Sequence, residues 1–271
     1  MRLPMDYLAG PRYKGEERIP GKTVIITGAN SGIGKEVARD LAKRGGKIIL
    51  ACRNMEECKQ VQGEIKIESY NRNVICKKLD LGSTKSIRVF AADINKNESR
   101  VDVLINNAGI MRTPTRVVTE DGFEAQLGIN HLGHFLLTTL LLDKIKKSAP
   151  SRIINVSSIA HKRGKINFDD LNSKDSYEPG EAYDQSKLAN ILFTIELAER
   201  LKGTGVTVNA VHPGLVKTKI FRYMGLYNSN ISSFILFPLT WLVLRTPEQG
   251  AQTTLYCALA PELVNVTGKY F

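Results

Sequence analysis

From Thr23 onward, short runs rich in Val and Ile alternate with longer stretches whose apolar positions recur at helical spacing. The short runs fall at 23–27, 47–52, 73–78, 101–106, 152–156 and 206–211, with a last brief one at 269–271. They are apolar almost throughout rather than alternating, which is the pattern of strands buried on both faces and therefore of a parallel sheet. Helical patterns lie between them near 34–44, 55–69, 83–96, 123–146, 182–201 and 247–258. Asp121, Thr84 and the Thr246-Pro247 pair read as helix starts, and Gly45 and Gly203 as stops. The expectation is an α/β fold, a doubly wound parallel sheet of about seven strands with helices on both faces. There is no fixed-period repeat or low-complexity tract, so 21–271 reads as one domain behind an N-terminal tether, 1–20.

Composition narrows the class. The 271 residues are 42% hydrophobic and 24% charged, enough for a substantial core and incompatible with disorder, collagen or a disulfide scaffold. The 38 Lys and Arg against 27 Asp and Glu leave a net charge of +11, which suits a phosphorylated cofactor, an anionic membrane face or nucleic acid without choosing among them. Cys52, Cys58, Cys76 and Cys257 form no C-x-x-C pair and are expected to be free structural thiols in a reducing compartment. The first twenty residues mix Pro, Gly and charge and cannot span a bilayer.

The first run, ending at Thr27, passes directly into Gly28-Ala29-Asn30-Ser31-Gly32-Ile33-Gly34, and a helical pattern opens at the last glycine. In a strand–loop–helix setting, Gly28 permits the tight turn, Gly32 lets backbone approach a pyrophosphate, and Gly34 lets helix and strand lie close. The helix start then offers N–H groups and a positive dipole end to phosphates. Where an acidic residue at the end of the second strand would bind the ribose hydroxyls of NAD, this chain has Arg53, whose guanidinium suits the 2′-phosphate of NADP. Lys35 is expected to add charge on the same side, Asp80 to cap the adenine edge, and Asn107-Ala108-Gly109 to line the cofactor floor.

Tyr183 and Lys187 stand four residues apart in a helical pattern, on one face of one turn. A phenol with an ordinary pKa of about 10 needs a nearby cation to act as an acid–base group at neutral pH, and Lys187 is placed to supply it. Ser157 and Ser158 close the fifth strand, at the edge where open α/β sheets gather ligands. Serine hydrolysis is a competing use, but no G-x-S-x-G elbow surrounds them.

Taken in order, Thr27-Gly28-x-x-x-Gly32-Ile33-Gly34, Asn106-Asn107-Ala108-Gly109, Asn130, Ser158, Tyr183-x-x-x-Lys187 and 213–218 (Pro-Gly-Leu-Val-Lys-Thr) resemble the motifs of the short-chain dehydrogenases/reductases from about Gly21 to Phe271. The stretches 48–53, 130–137, 186–190 and 268–271 further resemble the NADP-preferring retinol dehydrogenases of vertebrates and their invertebrate relatives. The resemblance implies interconversion of retinol and retinal with NADP(H). Tyr183 would be the general acid/base, and Lys187 would lower its pKa and bind the nicotinamide ribose. Ser158 would orient the carbonyl, chosen over Ser157 by family spacing alone, and Asn130 would hold a water in the proton relay. Pro213, Gly214 and Thr218 would meet the nicotinamide end of the cofactor. Two alternatives stay open: reduction of other apolar carbonyls such as steroids or lipid-derived aldehydes, and a catalytically silent NADP-binding module.

The apolar run from Ile231 to Leu244 is too short and interrupted to span a membrane; it is read as part of a substrate lid at 219–245, with an ordinary core or dimer helix as the rival. Relatives carry an apolar N-terminal anchor and continue beyond the Lys-Tyr-Phe strand, so one side of the pocket is expected to be uncovered here. His131 and His134 have metal-ligand spacing but no third ligand nearby, and helix packing is the preferred reading. The lysines between 144 and 147 read as a solvated helix end. The expected partners are a small apolar substrate, a membrane surface touched peripherally and a second copy of the chain, with no nucleic acid and no metal. The expected location is an intracellular membrane, in the endoplasmic reticulum or the mitochondrion.

Overall fold

The computed structural model describes residues 12–223 and 244–271. Six strands form its sheet: β1 (Thr23–Thr27), β2 (Lys47–Cys52), β3 (Val74–Lys78), β4 (Val103–Asn106), β5 (Ser151–Val156) and β6 (Val206–Val211). They run parallel in the order β3-β2-β1-β4-β5-β6. Six longer helices cover them: α1 (Gly32–Lys43), α2 (Met55–Ser69), α3 (Thr84–Asn97), α4 (Gly133–Lys147), α5 (Pro179–Arg200) and α6 (Pro247–Leu259).

The unbroken apolar character of the strands follows from the two cores. Side chains alternate between sheet faces with a period of two. Val24, Ile26, Ile48 and Leu50 pack on one face against Val37 and Leu41 of α1, Val61 and Ile65 of α2, and Leu255 of α6. Ile25, Ile49 and Leu104 pack on the other face against Phe90 and Ile94 of α3, Leu137 and Leu141 of α4, and Leu197 of α5. Both faces are covered by helices, so the central strand positions are mostly apolar.

Chain order reverses at β1, whose neighbours are β2 on one side and β4 on the other. The loops after β1 and β4 therefore diverge to opposite sheet faces and leave a crevice at the carboxyl ends of the strands.

Several expectations change in detail. The seventh strand is reduced to one bridge, Ala210 with Tyr270, flanked by hydrogen bonds from Phe271 N–H to the Ala210 carbonyl and from His212 N–H to the Phe271 carbonyl. The long helix expected over 123–146 is interrupted: a single turn (Ala125–Leu127) and a π-helical turn (Gly128–Leu132) precede α4. Asp121 does not start it. Its carboxylate accepts hydrogen bonds from the Thr84 N–H and hydroxyl at the head of α3, while Glu124 caps its own turn. Thr84 likewise yields the cap of α3 to Ser83, whereas Thr246 does cap α6 in a reciprocal box with Gln249.

The described part of the expected tether is docked on the fold. Ile19 packs against the first core, Tyr13 N–H donates to Gln252, and Arg44 donates to the carbonyls of Gly15 and Glu17. Cys58 and Cys76 are joined in a disulfide between α2 and β3, so only Cys52 and Cys257 are the free buried thiols expected. Their separation in sequence concealed a pairing that packing of α2 beside β3 creates. The remainder of the tether and most of the lid at 219–245 lie outside the described residues, and no described helix is long and apolar enough to cross a membrane.

Candidate active site

The crevice opens into a cleft of about 480 Å3 lined by Gly28, Asn30, Ser31, Gly32, Ile33, Arg53, Asp80, Asn107, Ala108, Gly109, Ser158, Tyr183, Lys187, Pro213, Gly214 and Thr218. Two expected residues stand behind its wall. Gly34 lets α1 press on the loop, since a side-chain carbon there would lie 2.6 Å from Asn107 Nδ2 and 2.7 Å from the Gly28 carbonyl. Asn130 is fully buried, and its amide is spent on Ile110 N–H and carbonyl and on the Ser186 hydroxyl.

The cofactor half begins where β1 ends. Gly28 turns with φ +66°, and a side chain would press on Ala108 Cα at 2.9 Å; Gly32 follows at φ +56°, facing Thr218. Both lie in the left-handed region that disfavours other residues. Thr27 Oγ1 accepts the N–H groups of Asn107 and Ala108, tying the loop after β4 to the loop after β1. Among the described α-helices that start from a loop, α1 alone lacks a side-chain cap: Ser31 makes no capping bond, and its first turn carries no acidic residue. Its N–H groups face the cleft without a partner side chain, as a pyrophosphate requires. A dinucleotide fits this donor set.

At the adenosine end, exposed Arg53 makes no hydrogen bond or ion pair among the described residues. The carboxylate nearby belongs to Glu57, which sequence reasoning missed. It accepts from Asn30 and pairs with Lys219, and these contacts hold it below the usual carboxylate range. Lys35 does not add charge to the cleft. It reaches away to Glu64 on α2, because position 35 falls on the face of α1 that packs there. Asp80 accepts from Gly82 N–H, holding the loop after β3 at the cleft edge.

The catalytic half is built on α5, whose Pro179 start is capped by Glu178. Tyr183 is 6% exposed and Lys187 2%. Burial pushes the phenol up to about 12, a hydrogen bond with the Ser158 hydroxyl opposes it, the Asp184 carboxylate adds to it and the Arg112 guanidinium opposes it least. Burial pushes Lys187 down to about 8. The ammonium donates to the Val156 carbonyl at 3.0 Å and lies 5.6 Å from the Tyr183 ring centre. Lys187 is thus held beside the Tyr183 ring. Ser157 turns inward to donate to the Lys187 carbonyl, while Ser158 faces the phenol.

Met111 and Ala160 pack with Tyr183, and Ile220 and Phe221 close against them, so the mouth beside the phenol is apolar. Beneath the floor, His134 bridges Thr27 Oγ1 (2.8 Å) and the Asn130 carbonyl (3.0 Å), and burial pushes it down to about 3. His131 contacts Asn190 and the rings of Phe135 and Phe193. Both histidines thus serve helix packing.

The model of the short chain dehydrogenase family matches residues 22–226. Human retinol dehydrogenase 13 is 57% identical over 270 residues, which cover 99% of this chain and 81% of that protein. Human retinol dehydrogenase 12 is 50% identical over 265 residues, covering 98% and 82%. A crystal structure of L-sorbose reductase from Gluconobacter frateurii, complexed with NADPH and L-sorbose, has a TM-score of 0.77 at 20% identity and covers 95% of this chain and 96% of that chain, a likeness of fold.

Proposed function

Because the chain belongs to the short-chain dehydrogenase family, oxidoreductases that work with NAD(P)(H), we propose that it interconverts retinol and retinal and prefers NADP(H). The observation that carries the reaction is the Ser158–Tyr183 pair, set in one cleft with the uncapped start of α1. The substrate class is supported by the retinol dehydrogenases matched along nearly the whole chain and by the apolar mouth at Met111, Ile220 and Phe221. The preference for NADP(H) is supported by Arg53 at the end of β2 and by Glu57, whose charge is tied up by Lys219.

When bound, the nicotinamide supplies or accepts the hydride. The protein handles the oxygen and the proton. In reduction, the Ser158 hydroxyl holds the carbonyl oxygen beside Tyr183 Oη, and the phenol, kept protonated by burial, gives that oxygen its proton. Lys187, its ammonium fixed by the Val156 carbonyl, would hold the ribose of the cofactor. Asn130 keeps Ile110 in place through both of its backbone groups, which fixes the loop after β4 that lines the cleft. In oxidation the proton travels the other way, from the alcohol to the Tyr183 phenolate. The lid at 219–245 and contact with an intracellular membrane belong to the same proposal, supported by the apolar run and the basic surplus in the sequence.

NADPH absorbance followed with all-trans-retinal and with a medium-chain aldehyde tests the reading. Retinal-dependent oxidation that exceeds the rate with NADH and falls about 10³-fold or more in Tyr183→Phe is expected. Turnover of the aldehyde but not of retinal would move the substrate class to other apolar carbonyls, and tight NADPH binding with no turnover would remove the enzymatic reading.

A further inference from the structure

Glu57 Oε2 is the meeting point of three segments that the sequence holds far apart. It accepts from Asn30 Nδ2 of the loop after β1 at 2.7 Å and from Lys219 Nζ of the segment after β6 at 3.1 Å, while its own residue belongs to the first turn of α2. All three residues line the cleft. The segment that carries Lys219 lies against the glycine loop, since a side-chain carbon at Gly32 would stand 2.9 Å from Thr218 Cγ2. Lys219 therefore reaches from one wall of the cleft to a carboxylate on the other. Its partner is ionised at neutral pH, because the hydrogen bonds from Lys219 and Asn30 hold the carboxyl below the usual range.

The other charges of the cleft give this pair its meaning. Among the described residues two carboxylates line it, Glu57 and Asp80. Asp80 stands after β3 and accepts from Gly82 N–H, whereas Glu57 stands one turn into α2, the helix that begins just beyond Arg53. Of the lining cations, Lys187 is fixed beside the Tyr183 ring by the Val156 carbonyl, and Arg222 donates to the Lys219 carbonyl and lies over the Tyr223 ring. Arg53 and Lys219 are the two that flank Glu57. A carboxylate left open here would accept hydrogen bonds from ribose hydroxyls and repel a 2′-phosphate, which is how an acidic residue after the second strand selects NAD. With Lys219 on that carboxylate, Arg53 supplies the uncompensated charge at this end of the cleft.

We propose that Lys219 is a specificity-determining residue for the cofactor and acts through Glu57: by occupying the carboxylate it removes a selector for the free ribose hydroxyl and leaves the cleft to a ribose 2′-phosphate. This rests on the cleft being the NADP(H) site. The determinant lies outside both the glycine loop and the end of β2, on the segment that also forms the substrate mouth. Ile220 and Phe221, the next two residues, pack beside Tyr183. Choice at the adenosine end is thus set from the wall that closes over the reacting end.

The test is equilibrium binding of NADPH and of NADH to the full chain without substrate, followed by nicotinamide fluorescence at low and at high salt. Lys219→Met should lower the preference for NADPH over NADH about fivefold, chiefly through weaker NADPH binding. The change should shrink at high salt, as expected of exposed charges. Lys219→Arg should keep the wild-type preference. The double variant Glu57→Gln with Lys219→Met should recover it, because the lysine has no carboxylate left to occupy. All three should melt as the wild type does, since both partners of the pair are exposed. An unchanged preference in Lys219→Met, or an equal loss of affinity for both cofactors, would overturn the proposal. A loss that persists undiminished in the double variant would also overturn it, by showing that the lysine acts without Glu57. Binding of neither cofactor to the wild type would instead overturn the reading of the cleft on which it rests.

Discussion

The two ends of the parallel sheet treat charge in opposite ways. At the amino ends of the strands every described buried charge is occupied. Asp102, beside β4, accepts from Thr23 N–H at 2.8 Å, from Lys22 at 3.1 Å and from Arg100. Glu98 pairs with Lys47, and Arg152 donates to the carbonyls of Cys257 and Ala260 at the close of α6. At the carboxyl ends α1 starts without a cap and, among the described residues, Arg53 and Arg112 make no ion pair and buried His212 Nδ1 has no partner. One end pairs its buried charges, while the other keeps donors and cations in reserve. Incomplete satisfaction is costly in a fold, so its concentration at one edge marks where a polyanionic ligand and a reacting oxygen belong.

The contrast can be broken from the paired end first. Asp102→Ala strips the Thr23 N–H and two cations of their shared acceptor, and should lower stability by about 3 kcal/mol in denaturant titrations while the activity of the folded fraction holds. An activity loss beyond the unfolded fraction would mean the two ends are coupled.

A smaller effect belongs to the floor of the cleft. His134 titrates near 6.5 when unfolded and at about 3 when folded, so between those values the unfolded chain binds the extra proton. Its contribution is complete above pH 6.5 and is lost as pH falls towards 3. From pH 6.5 to 5 the wild type should lose about 2 kcal/mol more than His134→Gln. Parallel curves for the two proteins would place the acid sensitivity elsewhere.

The smallest change sharpens the comparison most. Ser31→Asp gives α1 the cap its neighbours have and should raise stability by about 1 kcal/mol. The same carboxylate would face the phosphates, so NADPH affinity measured by fluorescence should fall about tenfold. A variant that gained both stability and affinity would show that the open helix start is not a phosphate site.

Much of this molecule is legible in one dimension. Continuous apolar runs imply burial on both faces, and burial on both faces implies a parallel sheet. The glycine loop after β1 and the four-residue spacing of Tyr183 and Lys187 are local, because a tight turn and one helical turn are short-range geometry. Those features had to be written into adjacent residues, whatever the rest of the chain did.

Other features belong to the tertiary structure, because they depend on which distant segments meet. Cys58 and Cys76 pair only where α2 packs beside β3. Asp121 serves the head of α3 rather than its own helix because its loop packs against the start of α3. Lys35 is turned to Glu64 by the packing of α1 on α2, and Glu57 enters the cofactor cleft through Asn30 and Lys219. Arg112 carries no motif, and its backbone is tied to the start of α5 because Gln126 fastens two segments that the sequence holds far apart. The sequence by itself determined the fold class and the reacting groups, through periodicity and short-range spacing. Which charges were spent on structure and which were left for chemistry was decided only when burial and long-range hydrogen bonds assigned each one a partner or none.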